Sequence, residues 1–126
     1  MNTEEKSNEN LSNGWQILPL FEIAKVCYGK AKPKIQGEIP VIGSGGIYGF
    51  TEKPLVDYET IVIGRKGSAG ATYYCEKPSY PSDTTFYLEW KRKVDVPFVY
   101  NFLKFQSLVS DNSVIPSLQR ETVENF

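Results

Sequence analysis

Two stretches of this chain carry an apolar, largely β-branched run straight into glycine: IPVIGSGGIYGF at 39–50 and TIVIGRKGSAG at 60–70. Runs of this kind are too apolar to lie on a solvated surface and too short for a buried helix, so they read as core strands. Glycine then lets the main chain turn sharply or come close to another group. The chain is therefore expected to build a β core whose strands open into polar loops, the second of which carries Arg65 and Lys66.

The surrounding sequence fits that core. GATYYCEK and DTTFYLEWK have the Thr and aromatic content of strands, GIYGFTEK reads as a hairpin arm, and KPSYPSD, with two prolines, reads as a loop. DVPFVYNFLKFQSLV changes period: Phe98, Val99, Phe102 and Leu103 recur at helical spacing, with Asp95 as cap and Pro97 in the first turn. Upstream, Leu20, Ile23, Ala24 and Cys27 predict a helix of about two turns closed by Gly29. VIPS reads as a brief extended piece and LQRETVENF as a further helix. Short strands in the middle and helices at the flanks make this an α+β chain, β-rich, with a mixed sheet and short flanking helices. At 126 residues it suits one domain, expected over 14–126 behind a disordered polar tail at 1–13, with the last helix reading as cut short at Phe126.

Several functions are disfavoured by what is missing. There is no histidine, which removes the commonest general base and metal ligand and any Ser-His or Cys-His pair. GRKGSAG has its lysine in the wrong order for a phosphate loop, and GSGGIYG leads into no helix, so its likeness to a dinucleotide fingerprint is weak. Two cysteines 48 positions apart make neither a zinc site nor a disulfide framework. No catalysis, cofactor or metal is expected. MNTEEKSNEN is too polar for a signal peptide and no apolar run approaches a membrane span, so reduced thiols, a cytoplasmic location and no membrane partner are expected.

Net charge is −1, yet the charges are unevenly spread. Bases cluster as Lys30, Lys32 and Lys34, as Arg65 and Lys66, and as Lys91, Arg92 and Lys93. Such local patches matter more to a charged ligand than the sum does. Combined with the hydroxyls of Ser44, Tyr48 and Ser68 and with glycines that admit close approach, the first two clusters have the chemistry of a DNA-facing surface. Solvated surface lysines account for the same residues if they do not share a face.

The order of the pieces adds to this. NGWQILPLFEIAKVCYGKAKPK, GEIPVIGSGGIYGFTEK, ETIVIGRKGSAGATYYCEKPSYPSDTTFYLEW, PFVYNFLKF and SVIPSLQRETVENF resemble, in that sequence, a target recognition domain of the specificity subunit of type I restriction-modification enzymes. The resemblance implies a non-catalytic domain that reads half of a bipartite double-stranded DNA target in the major groove. Its partners would be the modification (methyltransferase) and restriction subunits. It implies DNA contacts from Lys30, Lys32, Lys34, Ser44, Tyr48, Arg65, Lys66 and Ser68, with Lys77, Ser82 and Arg120 as further candidates. The coiled-coil helices through which the family docks on methyltransferases have no counterpart in these letters. The alternative is therefore a protein-interaction or regulatory fragment that binds restriction-modification subunits without reading DNA.

Overall fold

The computed structural model describes residues 19–110 and 120–126. Its centre is a four-stranded antiparallel sheet in the order β1 (Ala24–Tyr28), β7 (Thr85–Trp90), β4 (Thr60–Gly64), β5 (Thr72–Cys75). A second sheet of three strands runs β3 (Gly46–Thr51), β2 (Ile39–Gly43), β6 (Tyr80–Pro81). Its β2–β3 hairpin is antiparallel and its β2–β6 pair parallel. The helices are α1 (Leu20–Ile23), α2 (Val96–Ser110) and α3 (Arg120–Glu124).

β4 shows why a run of β-branched residues was needed. Every residue of it is buried, because both faces of the sheet are covered. Ile61 and Ile63 join Phe86 and Leu88 of β7, Ala24 and Val26 of β1, and the helix residues Leu20, Val96, Val99, Leu103 and Val123 in the main core. Val62 points the other way, with Cys75, Tyr73 and Tyr87, to meet Ile42 of the second sheet. The period of two thus assigns one face to the helices and the other to the hairpin. Thr60, fully buried, satisfies its hydroxyl on the Leu88 carbonyl at 2.6 Å.

The expected architecture is present, with three local differences. The helix expected from Leu20 to Cys27 stops at Ile23: Ala24 is extended and pairs with Trp90, so cross-strand bonding along 24–28 overrides an apolar spacing that also suits a helix. Tyr80 and Pro81 inside the expected loop form a two-residue strand parallel to β2. In α2, Asp95 caps as expected, its Oδ1 accepting from the Phe98 amide at 3.1 Å. The buried stripe, however, is Val96, Val99 and Leu103, while Phe98, Phe102 and Phe105 face outward. The polar tail expected at 1–13 and the extended VIPS piece lie outside the described residues. Among the described residues, no helix is long and apolar enough to cross a membrane.

Candidate nucleic-acid interface

Antiparallel order decides which loops meet. β7 lies between β1 and β4 and runs against both, so its entry at 82–85 abuts the exits of both. The Gly29 amide donates to the Thr85 carbonyl at 3.0 Å, the Lys30 amide to Pro81 at 3.1 Å, and the Arg65 amide to Thr84 at 2.9 Å. Lys30 and Arg65 therefore leave from the two flanks of one turn. The first glycine loop joins the same turn. Ser44 donates its amide to Thr84 Oγ1 at 3.2 Å and its hydroxyl to the Thr84 carbonyl at 2.7 Å, while the Ser82 amide donates to Ile42 at 2.9 Å. The Tyr73 phenol, raised in pKa by burial, donates to the Ser44 carbonyl and ties β5 to the hairpin.

Two glycines make this convergence possible. A Cβ on Gly64 would lie 2.5 Å from the Ser68 carbonyl oxygen and 3.2 Å from the Ser44 Cβ, so here the two glycine loops touch. A Cβ on Gly29 would lie 2.0 Å from the Ser82 carbonyl oxygen and 2.7 Å from that of Pro81. Main chain passes main chain at both points, which only glycine permits.

Most of the expected site residues come together here. Lys30 forms a parallel bridge with Ser82 and is exposed. Lys32 lays its stem across Gly49 of β3, and Lys34 follows, exposed, in the same loop. The Tyr80 hydroxyl holds that loop by donating to the Ala31 carbonyl at 3.0 Å. Tyr48 packs its ring on Gly43 and remains 55% exposed. Lys66 and Ser68 are exposed on the Arg65 loop. Asp83, in the central turn, is an exposed acid among these cations.

Three of the expected residues, Ser44, Ser82 and Lys77, stand apart from that exposed group. Ser44 and Ser82 are buried with their hydroxyls engaged inside the protein, Ser82 Oγ with Thr84 Oγ1 at 3.0 Å, so they build the turn. Lys77 follows the far end of β5, where Cys75 pairs with Thr60, and so lies at the end of the sheet opposite Arg65. There it lines a 640 Å³ groove with Pro40, Tyr73 and Tyr100. Arg120, in the expected last helix, opens α3, within 3.6 Å of Glu124 and with its guanidinium 5.4 Å from the Tyr28 ring centre. Tyr28 and Thr84 were missed. Reading 24–28 as a strand is the signal that finds Tyr28, since alternation puts it on the same face as Ala24 and Val26.

The α+β scaffold thus gathers basic loops at one end of its four-stranded sheet. The model of the type I restriction modification DNA specificity domain matches residues 12–126, and the chain belongs to that family. Among solved structures, it is similar to the S subunit of a type I restriction-modification system from M. genitalium, at 28% identity and a TM-score of 0.74, covering 86% of this chain and 32% of that one. The HsdS subunit from Thermoanaerobacter tengcongensis shares the fold at 14% identity and a TM-score of 0.67, covering 93% of this chain and 33% of its own. A chain from a structure on complex assembly and conformational transition of the type I R-M system does so at 13% and 0.70, covering 93% and 34%. No curated protein matches the sequence. The chain spans about a third of the length of the solved subunits.

Proposed function

We propose that this DNA specificity domain is a non-catalytic module that reads one half of a bipartite double-stranded target in the major groove, within a type I restriction-modification assembly. The observation that carries the reading is the convergence of Lys30, Arg65 and the Ser44 hairpin on the single turn at 81–84. Lysines 30, 32, 34 and 66 and Arg65 supply phosphate attraction; Tyr48 and Ser68, both exposed, stand where side chains can reach further. The modification and restriction subunits are its proposed protein partners, and the cytoplasm its proposed location.

Binding of a labelled duplex across roughly 50 to 200 mM salt tests this. Each neutralised phosphate contributes about −0.9 to the slope of log K against log salt, so Arg65→Ala with Lys66→Ala is expected to flatten the slope by about 2. Lys77→Ala, at the other end of the sheet, should leave it unchanged. A flat response of the wild type, together with capture of modification subunits in the absence of DNA, would favour the protein-interaction reading.

A further inference from the structure

Tyr28 ends the edge strand β1 and stays half exposed (48%) although it faces the helix side of the sheet. Its ring packs against Phe86 at 5.2 Å, tilted by 56°. Two guanidinium groups approach it: Arg65 at 5.1 Å from its centre, and also 5.9 Å from that of Phe86, and Arg120 at 5.4 Å. They arrive from separate elements, the loop after β4 and the start of α3. Their carbons are thus at most about 10.5 Å apart, the sum of the two distances to the shared ring. Both Nε atoms are buried there without a hydrogen-bond partner among the described residues. Arg120 has a carboxylate neighbour in Glu124; Arg65 has no ion pair among the described residues.

Bringing two like charges to one ring is unfavourable in itself, since they stand within about a Debye length of each other. Cation–π attraction offsets part of this and holds each planar group in a fixed orientation. A dianionic stretch of backbone, phosphate after phosphate, would offset the rest and use the fork donors that the ring leaves over. We propose that Tyr28 is a positioning residue: its ring seats Arg65 and Arg120 as a two-point grip on the sugar–phosphate backbone of the DNA. The grip deepens the DNA reading above and rests on it. Arg65 is thereby assigned to anchoring rather than to base readout.

The test combines two measurements on the full chain. In the free protein, proton spectra of the arginine side chains should show ring-current shifts for Arg65 and Arg120. These should vanish in Tyr28→Leu and persist in Tyr28→Phe. With a duplex of random sequence, Tyr28→Leu should flatten the salt slope by up to about 2, and near 150 mM salt weaken binding about 5-fold for each phosphate no longer gripped. Tyr28→Phe should match the wild type. Adding Arg65→Ala to Tyr28→Leu should cost less than Arg65→Ala costs alone, because both act through the same grip. Arg65→Lys, which keeps the charge but not the plane, should recover less than half of the affinity that Arg65→Ala loses, whatever the folding of the leucine variant. An unchanged slope and affinity in a folded Tyr28→Leu overturns the inference, as does full additivity with Arg65→Ala. Missing ring-current shifts in a wild type that binds DNA overturn the platform alone. Ring-current shifts in a wild type that binds no duplex at any salt overturn the DNA reading and the ligand assigned here with it.

Discussion

Gly29→Ala probes the join between the two basic loops without touching a charge. Its Cβ would fall 2.0 Å from the Ser82 carbonyl oxygen, 2.7 Å from that of Pro81 and 2.8 Å from the Ser82 carbonyl carbon. All three are backbone atoms, so no rotamer change relieves the clash. The 28–30 strand must instead withdraw from the 81–85 turn. That sacrifices the Gly29 bond to Thr85 and the Lys30 bond to Pro81, at about 1 kcal/mol each. Residual overpacking adds about 1–3 kcal/mol. The expected loss is about 3–5 kcal/mol, or a fall in Tm of more than about 10 °C for a domain of this size. Gly45→Ala is the matched control: nothing lies within 4 Å of its Cβ, so the change should stay within about 0.5 kcal/mol. Denaturant unfolding of the two variants gives both numbers. A Gly29→Ala variant as stable as Gly45→Ala would refute the close passage of β1 over the turn, and with it the rigid placement of Lys30 beside Arg65.

Ser44→Ala and Ser82→Ala should each lower stability by about 1 kcal/mol through the removal of buried hydrogen bonds, while leaving the salt slope of DNA binding unchanged; a slope that flattens with normal stability would return them to the DNA surface. The Tyr74 phenol donates to the Glu59 carboxylate, and that bond first, then burial and neighbouring acids, lifts its pKa to about 12 from 10.0. Because the folded value is the higher, the stabilisation is complete below pH 10 and is lost as pH rises through 12; burial raises Tyr58, Tyr73 and Tyr87 as well, so in a phenolate absorbance titration Tyr74→Phe should remove one phenol from a late-titrating group and leave the others. Burial pushes up both thiols, Cys27 with help from the Glu89 carboxylate and Cys75 at 8% exposure. Both should react slowly with an alkylating agent at neutral pH, Cys75 the slower, and rapidly once unfolded.

The parts of this fold that rest on local composition were legible in the sequence. The β-branched run at 60–64 could only be a buried strand, and Asp95, Pro97 and the apolar spacing beyond them marked α2. What failed depended on partners distant in the chain. Residues 24–28 satisfy a helical and a β pattern alike, and β7, some sixty positions on, decides between them. The outward turn of Phe98 and Phe102 follows from which stripe of α2 meets the sheet, something spacing alone leaves open. The same holds for the site. Cations and glycines announced the loops, but whether a serine in such a loop faces inward depends on the Thr84 turn that receives it. Lys77 carries its charge at the end of the sheet opposite Arg65, which only strand order reveals.

The central claim is that one end of the four-stranded sheet, and not the other, faces the duplex. Amide chemical-shift mapping with a random-sequence duplex at low salt tests it most directly. The account predicts perturbations gathered at residues 28–34, at Tyr48, at 65–68 and at Arg120, with Lys77 and the 640 Å³ groove beside it silent. Shifts centred on Lys77 or on the outward face of α2, with the turn at 81–84 unmoved, would contradict it.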